Sequence, residues 1–165
     1  MMKKILFFVG FCIIIIILSC IYFMHSALIF KVQDKRDGRK ILELLFEPHD
    51  VFLMQYIHAV KRTPYTNIFK VDSESNIILS GTVYESEGGG FPVAGDGIFS
   101  VSDGTFRMDE MNRFIGILRL RVSPVSQETL LVSNAEVPLY KLVPEGTLIE
   151  IKVSKAWLWS FRGGL

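Results

Sequence analysis

Residues 117–122 of the chain read ILRLRV, and their strict alternation of apolar and charged side chains decides the fold class. In an extended chain Leu118, Leu120 and Val122 share one face, and the two arginines share the other. Residues 147–153, TLIEIKV, repeat the pattern. Both segments are therefore predicted to be strands half-buried in a sheet.

Further candidate strands surround these two, separated by turns of Gly, Pro, Ser and Asp. Asp103-Gly104 lies between two short apolar runs, a composition typical of a tight hairpin turn with positive φ angles. Other candidates are ILELLF (41–46), SNIILSGTVYES (75–86) and ETLLVSN (128–134). About eight to ten such strands predict an all-β domain, either an antiparallel β-sandwich or a small barrel. One helical turn is predicted over residues 108–114, MDEMNRF.

The N-terminal segment has a different composition, because no residue from Ile5 to Met24 carries a charge. A helix of this length spans about 30 Å, the thickness of the hydrocarbon core of a bilayer. We predict one transmembrane helix that stays attached, since no convincing cleavage site follows it. Two alternatives stay open: a lipoprotein signal acylated at Cys20 of ILSC, and a cleaved signal peptide.

These patterns divide the chain into a membrane anchor over residues 1–30, a charged linker over 31–40 and a single β domain over 41–165. Lys3 and Lys4 precede the anchor and further basic residues follow it, so a count of positive charges alone would place the domain in the cytoplasm. The very short basic leader is instead the usual form of an export signal. We predict a single-pass protein of the cell membrane with its β domain outside the cytoplasm.

Charge and cysteine content weigh against several classes of protein. The chain carries 18 Lys and Arg against 17 Asp and Glu, a formal net charge of +1, and the charges are scattered. That distribution argues against a nucleic-acid-binding protein. Cys12 and Cys20 both lie in the N-terminal segment, which leaves the β domain without a thiol for a disulfide, a zinc site or a nucleophile. No cofactor is predicted.

The segment VFLMQYIHAV, residues 51–60, places one histidine among larger apolar side chains. In a strand, His58 shares a face with Phe52 and Tyr56, and Asn67 falls on the inward face of the next strand. Pairing of the two strands would then bring His58 and Asn67 close together. An unpaired buried polar group costs about 1 to 3 kcal/mol, so both need partners. Two interpretations stay open: a structural hydrogen bond, and two groups that look into a pocket.

The stretch ESEGGGFPVAGDG, residues 85–97, contains the other candidate binding residues, Ser86, Gly88, Gly89 and Gly90. Runs of glycine let backbone N–H groups approach an anion, but this one lacks the Lys-Ser/Thr ending and the strand-to-helix setting of a phosphate loop. A structural loop with positive φ angles is therefore favoured. The sequence contains neither HExxH nor GxSxG and no calcium loop, so no catalytic residue and no metal ligand is assigned.

Two of these segments together carry a resemblance to a known family. YIHAVKRTPYTNIF, residues 56–69, and YESEGGGFP, residues 84–92, resemble the bacterial family catalogued as domain of unknown function 1850. Pro64 and Phe69 fit the family's pattern. The resemblance covers Asp50 to about Pro92, and the C-terminal half shares only a general strand texture.

The family's motifs are His-Ser-Val and Gly-Ala-Gly, the second followed by an apolar residue and Pro. Residues 57–60 match the first motif with Ala59 in place of serine, and residues 88–92 match the second with Gly89 in place of alanine. Asn67 stands where the family tends to have glutamate. The departures at Ala59 and Asn67 remove two groups that would assist a general base or bind a cation.

The resemblance implies a small β domain behind a membrane segment, because members are similar in this respect. Many members occur beside genes for TAXI-type TRAP transporters of organic anions, which implies a TRAP-type transporter or its solute-binding protein as the partner. The favoured function is thus a membrane-tethered, extracytoplasmic accessory or small-ligand-binding module. The alternative is a hydrolase-like enzyme that uses His58 as general base.

Overall fold

The computed structural model describes residues 10, 13–15, 26–85 and 97–157. Most of the predicted anchor, including nearly all of the apolar stretch from Ile5 to Met24, lies outside these residues. Among the residues that are described, no helix is long and apolar enough to cross a membrane.

Residues 26–85 and 97–157 form twelve strands and one helical turn, and the four described residues before them are helical. The elements are β1 Ser26–Asp34, β2 Lys40–Phe46, β3 Val51–Ile57, β4 Pro64–Val71, β5 Ile77–Tyr84, β6 Ile98–Ser102, β7 Thr105–Asp109, β8 Arg113–Gly116, β9 Leu118–Arg121, β10 Thr129–Val132, β11 Ala135–Pro138, α1 Leu139–Leu142 and β12 Leu148–Trp157.

The strands make two sheets in which every pairing is antiparallel. The four-stranded sheet has the order β2-β1-β12-β9. The eight-stranded sheet has the order β11-β10-β3-β4-β5-β7-β6. The eighth strand, β8, pairs with the same edge of β5 as β7, but at the beginning of β5 where β7 pairs at its end. An all-β domain was the prediction, and the structure confirms a mostly-β fold of two antiparallel sheets. In the part of the chain described neither sheet closes into a barrel, so the small-barrel alternative is not the fold formed there.

The two segments whose alternation predicts strands do form strands in the structure. In β12, Ile149 and Ile151 are fully buried, and Glu150 on the opposite face contacts Arg119 of β9. Leu118 and Leu120 of β9 pack against the core, as their alternation with arginine predicts. Both segments therefore turn their apolar face towards the second sheet.

The two sheets pack against each other through a cluster of phenylalanines. Phe30 of β1 stacks on Phe46 of β2, with ring centroids 4.6 Å apart. It also meets Phe52 of β3 in the other sheet edge to face at 4.9 Å, and Phe52 stacks on Phe69 of β4 at 5.0 Å. All four rings are buried, so the core lies between the sheets.

The β6–β7 hairpin also follows its sequence signal. Its two turn residues, Asp103 and Gly104, have φ angles of 51° and 76°. Positive φ at both central positions is the requirement of a type I′ turn, whose twist matches that of the flanking strands.

The N-terminal boundary of the β domain differs from the prediction. Residues 31–40, predicted as a charged linker, form the second half of β1, a turn and the first residue of β2. β1 pairs along its whole length with β12, and its Phe30 and Val32 are fully buried. The sheet therefore begins at Ser26, within the segment that was assigned to the anchor. Alternation explains the charges, because the residues between the buried ones, such as Lys31, lie on the other face.

The helical turn predicted over residues 108–114 is wrong. Met108 belongs to β7 and residues 113–116 to β8, and both strands pair with β5. Between them Glu110 takes a φ of 55°, and the backbone N–H of Met111 donates to Ser80 of β5 at 3.0 Å. Sheet hydrogen bonds along one edge of β5 thus outweigh the local helical pattern. The helical turn that is described, α1, lies elsewhere and was not predicted.

Candidate functional site

The candidate site is built on the inward face of β3, β4 and β5, where side chains form successive cross-strand rows. Nearest the core, Phe52 pairs with Phe69. The next residues on the same face bring Asn67 opposite Thr82 of β5. The row beyond contains Tyr56, Tyr65 and Tyr84 and is named the tyrosine row. The face therefore changes from apolar to polar and then to aromatic towards the end of β3.

The polar row is satisfied from within. The Thr82 hydroxyl donates to Oδ1 of Asn67 at 3.3 Å, and Thr82 is only 1% exposed. The tyrosines reach back over this row, because Tyr56 hydrogen-bonds with Asn67 and Tyr65 with Thr82. These four polar side chains thus form one hydrogen-bond network in a largely apolar setting. Hydrogen bonds are stronger in such a setting than in water.

Burial governs the ionisation of the tyrosine row. Loss of hydration raises the pKa of Tyr56, and the neighbouring Tyr65 raises it further, although the hydrogen bond with Asn67 opposes both effects. Burial also raises the pKa of Tyr65 and of Tyr84. A phenolate would lose hydration here and would face other tyrosines, so the hydroxyls stay neutral at physiological pH.

The tyrosine row continues into a longer aromatic row across the sheet. Ring centroids are 4.9 Å apart for Tyr56 and Tyr65 and 5.4 Å apart for Tyr65 and Tyr84. Phe106 of β7 and Phe99 of β6 extend it at 5.5 and 6.3 Å. Because neighbouring rings stack face to face, the faces of the inner rings are covered by their neighbours. A molecule above the sheet would therefore contact the edges of these rings and not their faces.

A cavity of about 210 Å³ opens where the tyrosine row meets the four-stranded sheet. It is named the inter-sheet cavity, and its lining residues are Met54, Tyr56, Asn67, Phe69, Leu118, Leu120 and Glu128. Both sheets contribute, since Leu118 and Leu120 belong to β9. Apolar walls with a few converging polar groups are characteristic of small-ligand sites.

Glu128 is a polar residue of this cavity whose carboxylate is fixed by hydrogen bonds from its own turn. It is 7% exposed, and its Oε2 accepts the backbone N–H of Ser123 at 2.8 Å. The Ser126 hydroxyl donates to Oε1. The Ser126 carbonyl in turn accepts the N–H of Ile57 at 2.7 Å, which ties this turn to the end of β3. The backbone therefore holds the carboxylate in the wall of the cavity that Tyr56 also lines.

A second depression, of about 590 Å³, lies on the outward side of the eight-stranded sheet. Val51, Leu53 and the β10–β11 turn line it, including Ser133 and Asn134. It is open to solvent and brings no buried polar group together, so it is the weaker candidate for a specific site.

His58 and Asn67 are not brought together as the sequence predicted. β3 ends at Ile57, and Asn67 pairs with Met54, four residues before His58. His58 instead lies in the β3–β4 turn, where its backbone N–H donates to Thr63 and its Nδ1 accepts the N–H of Lys61 at 3.2 Å. The expectation failed because inward alternation holds only as long as the chain stays in the ladder.

The predicted binding residues of the glycine stretch, Ser86, Gly88, Gly89 and Gly90, lie outside the described residues. The stretch begins directly after Glu85, the neighbour of Tyr84 at the end of β5. Their assignment stays a prediction. Within the described chain no group of three or more His, Cys, Asp or Glu residues is placed to hold a metal ion.

Sequence reasoning did not single out Glu128 or the tyrosine row. A usable signal was present in ETLLVSN, because Leu130 and Val132 of β10 are buried and Glu128 shares their phase. Alternation alone thus places a carboxylate on the inward face, which is uncommon and points to a site. The tyrosines become neighbours only through the pairing of β3, β4 and β5, and spacing along one strand does not reveal that pairing.

The comparison with protein families gives one match. The model of the family described as Domain of unknown function (DUF1850) matches residues 52–139, which is more than half of the chain. The match includes β3 apart from its first residue, β4 to β11, and every described residue that lines the inter-sheet cavity. No curated protein and no solved structure matches the chain.

Proposed function

The chain belongs to the DUF1850 family, whose activity is not established, and from that premise we propose that its β domain is a small-ligand-binding module. One observation carries the proposal: the inter-sheet cavity has apolar walls from both sheets and polar groups at Asn67 and Glu128. Folding has already fixed these groups by hydrogen bonds, so binding would not have to order them.

The proposal places the module at a membrane. Its support is the uncharged stretch from Ile5 to Met24, which is long enough to span a bilayer and has a short basic leader. In this proposal the segment stays attached, the β domain lies outside the cytoplasm, and a TRAP-type transporter or its solute-binding protein is the partner. A membrane-tethered binding domain would there act as an accessory to solute uptake.

Mass spectrometry of the protein extracted from membranes tests the tether. An intact N-terminus through Met24 is expected. A mature chain that begins at Cys20 with added acyl mass would establish a lipoprotein instead, and one that begins near His25 would establish a cleaved signal. Cross-linking in cells followed by affinity purification tests the partner, with subunits of a TRAP-type transporter expected.

Ligand binding is tested by a thermal-shift screen of small organic molecules on the full-length protein in detergent. Leu120→Trp fills the inter-sheet cavity, whereas Arg121→Trp adds the same side chain on the opposite face of β9. A ligand of the cavity should raise the melting temperature of the wild type and of Arg121→Trp, and should leave that of Leu120→Trp unchanged. Equal shifts in the two variants would place binding elsewhere.

The hydrolase alternative receives no support from the described residues. The hydrogen bonds of His58 found in that part of the chain connect it to backbone groups of its own turn, at Lys61, Arg62 and Thr63. A general base must reach the proton that it removes, and an adjacent nucleophile would be its expected neighbour. The binding function is therefore the one that the geometry supports best.

A further inference from the structure

Glu128 is the one charged side chain among the described residues that line the inter-sheet cavity. Its two hydrogen bonds come from neutral donors, the Ser123 backbone and the Ser126 hydroxyl. A carboxylate has about four lone-pair positions, so these bonds leave it able to accept more. The cavity thus holds an anionic group that still has acceptor capacity.

The basic residues of β9, the strand that supplies two leucines to the cavity wall, are directed elsewhere. On β9 the leucines line the cavity, and the arginines alternate to the other face. Arg119 contacts Glu150 of β12 at 2.9 Å, and Arg121 donates to the carbonyl of Gly146 at 3.0 Å. β9 therefore supplies no cation to Glu128.

The wall beside Glu128 is aromatic. Tyr65 of β4 covers one face of the Tyr56 ring. Because β10 lies on the other side of β3 from β4, the second face of that ring is directed towards the strand that Glu128 precedes. A cation between a carboxylate and the face of a tyrosine ring gains from both.

Apart from Asn67, the rest of the described wall suits an alkyl chain. Met54, Phe69, Leu118 and Leu120 present only apolar surface. At about 30 Å³ for each water molecule, a cavity of about 210 Å³ has the volume of roughly seven waters. The space matches an organic molecule of similar size, with a short apolar body and one polar end.

We propose that the inter-sheet cavity binds a small organic ammonium ion, with its alkyl body between β9 and the sheet face and its ammonium group between Glu128 and Tyr56. This inference rests on the proposed ligand-binding function and names its ligand class. A carboxylate of the same size would meet Glu128 with a like charge in a poorly hydrated site, so it is disfavoured.

The test is calorimetric titration of the full-length protein in detergent with n-butylammonium chloride, n-butanol and sodium butyrate at pH 7 and equal ionic strength. The three probes share an alkyl chain and differ in the charge of the polar end. The ammonium ion should bind at least about tenfold more tightly than the alcohol, and butyrate should bind more weakly than both. Tighter binding of butyrate than of the ammonium ion would overturn the ammonium assignment and leave the binding function standing.

Glu128→Gln keeps the shape of the side chain and removes its charge, and Glu136→Gln does the same at an exposed position on β11. The first variant should reduce the preference for ammonium over alcohol to about twofold or less, and the second should leave it unchanged. A preference that survives Glu128→Gln would overturn the proposal. If Glu128→Gln does not fold, Leu120→Trp is the variant that tests the proposal. It should abolish binding of both the ammonium ion and the alcohol. Absence of binding by all three probes to the wild type would overturn the ligand class, whereas the proposed binding function fails only if the thermal-shift screen also gives no shift that Leu120→Trp removes.

Discussion

Phe30 and Phe52 belong to different sheets, yet their rings meet edge to face with centroids 4.9 Å apart. Phe46 stacks on the same Phe30 ring at 4.6 Å. The first strand of the domain is thereby joined to the eight-stranded sheet through one fully buried side chain. Leu28, Phe30 and Val32 are part of the core, although they closely follow the apolar N-terminal segment.

Phe30→Ala should therefore destabilise the domain strongly. Removing a fully buried phenylalanine costs about 3 to 5 kcal/mol, because both the burial and the packing of neighbouring rings are lost. Chemical denaturation of the full-length protein in detergent measures the change. Lys31→Ala alters the next residue on the opposite face of β1 and should cost about 0.5 kcal/mol or less. Equal losses in the two variants would show that β1 is not packed in this way.

The sequence predicts the interior of the fold better than its N-terminal boundary. β9 and β12 follow from alternation, since each strand turns apolar side chains to the core and charged side chains to the other face. β1 opens with SALIF, residues 26–30, which continues the apolar run before it, so no change in period marks the start of the sheet. A charged stretch after such a run was taken as a linker. In the structure the charges at Lys31 and beyond are the outward residues and the turn of a hairpin.

The candidate site was only partly predictable for a related reason. The inward position of Asn67 follows from its strand, but its neighbours depend on the register of β3 with β4 and of β4 with β5. Glu128 reaches the same cavity through a strand that is remote in sequence. His58 was misplaced because the strand ends one residue earlier, at Ile57.

His58→Ala should have a small effect on stability. The imidazole lies in a turn and accepts one backbone N–H, from Lys61 at 3.2 Å, and such a bond contributes about 0.5 to 1.5 kcal/mol. Met54→Ala, two residues before Tyr56 on the inward face, should cost about 2 to 5 kcal/mol. Denaturant midpoints of the two variants give the comparison. A loss of several kcal/mol for His58→Ala would mean that the imidazole is sealed in the core after all.

The hydrogen bond between Thr82 and Asn67 should be visible as a coupling energy. Thr82→Val removes the donor hydroxyl and leaves the Asn67 oxygen short of a partner in a buried row, at an expected cost of about 1 to 3 kcal/mol. In a double-mutant cycle with Asn67→Leu, the two changes should be less than additive by about 0.5 kcal/mol or more. Thr66→Val, on the opposite face of β4, serves as the control. Its change in the free energy of unfolding should simply add to that of Asn67→Leu. Strict additivity of the first pair would contradict the network.

The tyrosine row makes stability depend on pH in the alkaline range. Burial raises the pKa of Tyr56, Tyr65 and Tyr84 in the folded protein above the value of about 10 that holds in the unfolded chain. Above pH 10 the unfolded state therefore binds fewer protons than the folded state, and the free energy of unfolding falls as pH rises. Below that pH both states keep the protons, and this contribution is fully present.

Tyr56→Phe isolates the effect, because it keeps the ring in the row and removes one titrating hydroxyl. The free energies of unfolding of wild type and variant should run parallel between about pH 6 and 9, and the wild type should fall more steeply above pH 10. The difference in phenolate absorbance between wild type and variant should show that Tyr56 ionises at a higher pH in the folded protein than in the unfolded chain. All other ionisable groups are common to the two proteins, so their contributions cancel in the difference. Parallel curves through the alkaline range would mean that Tyr56 ionises in the folded state as readily as in water.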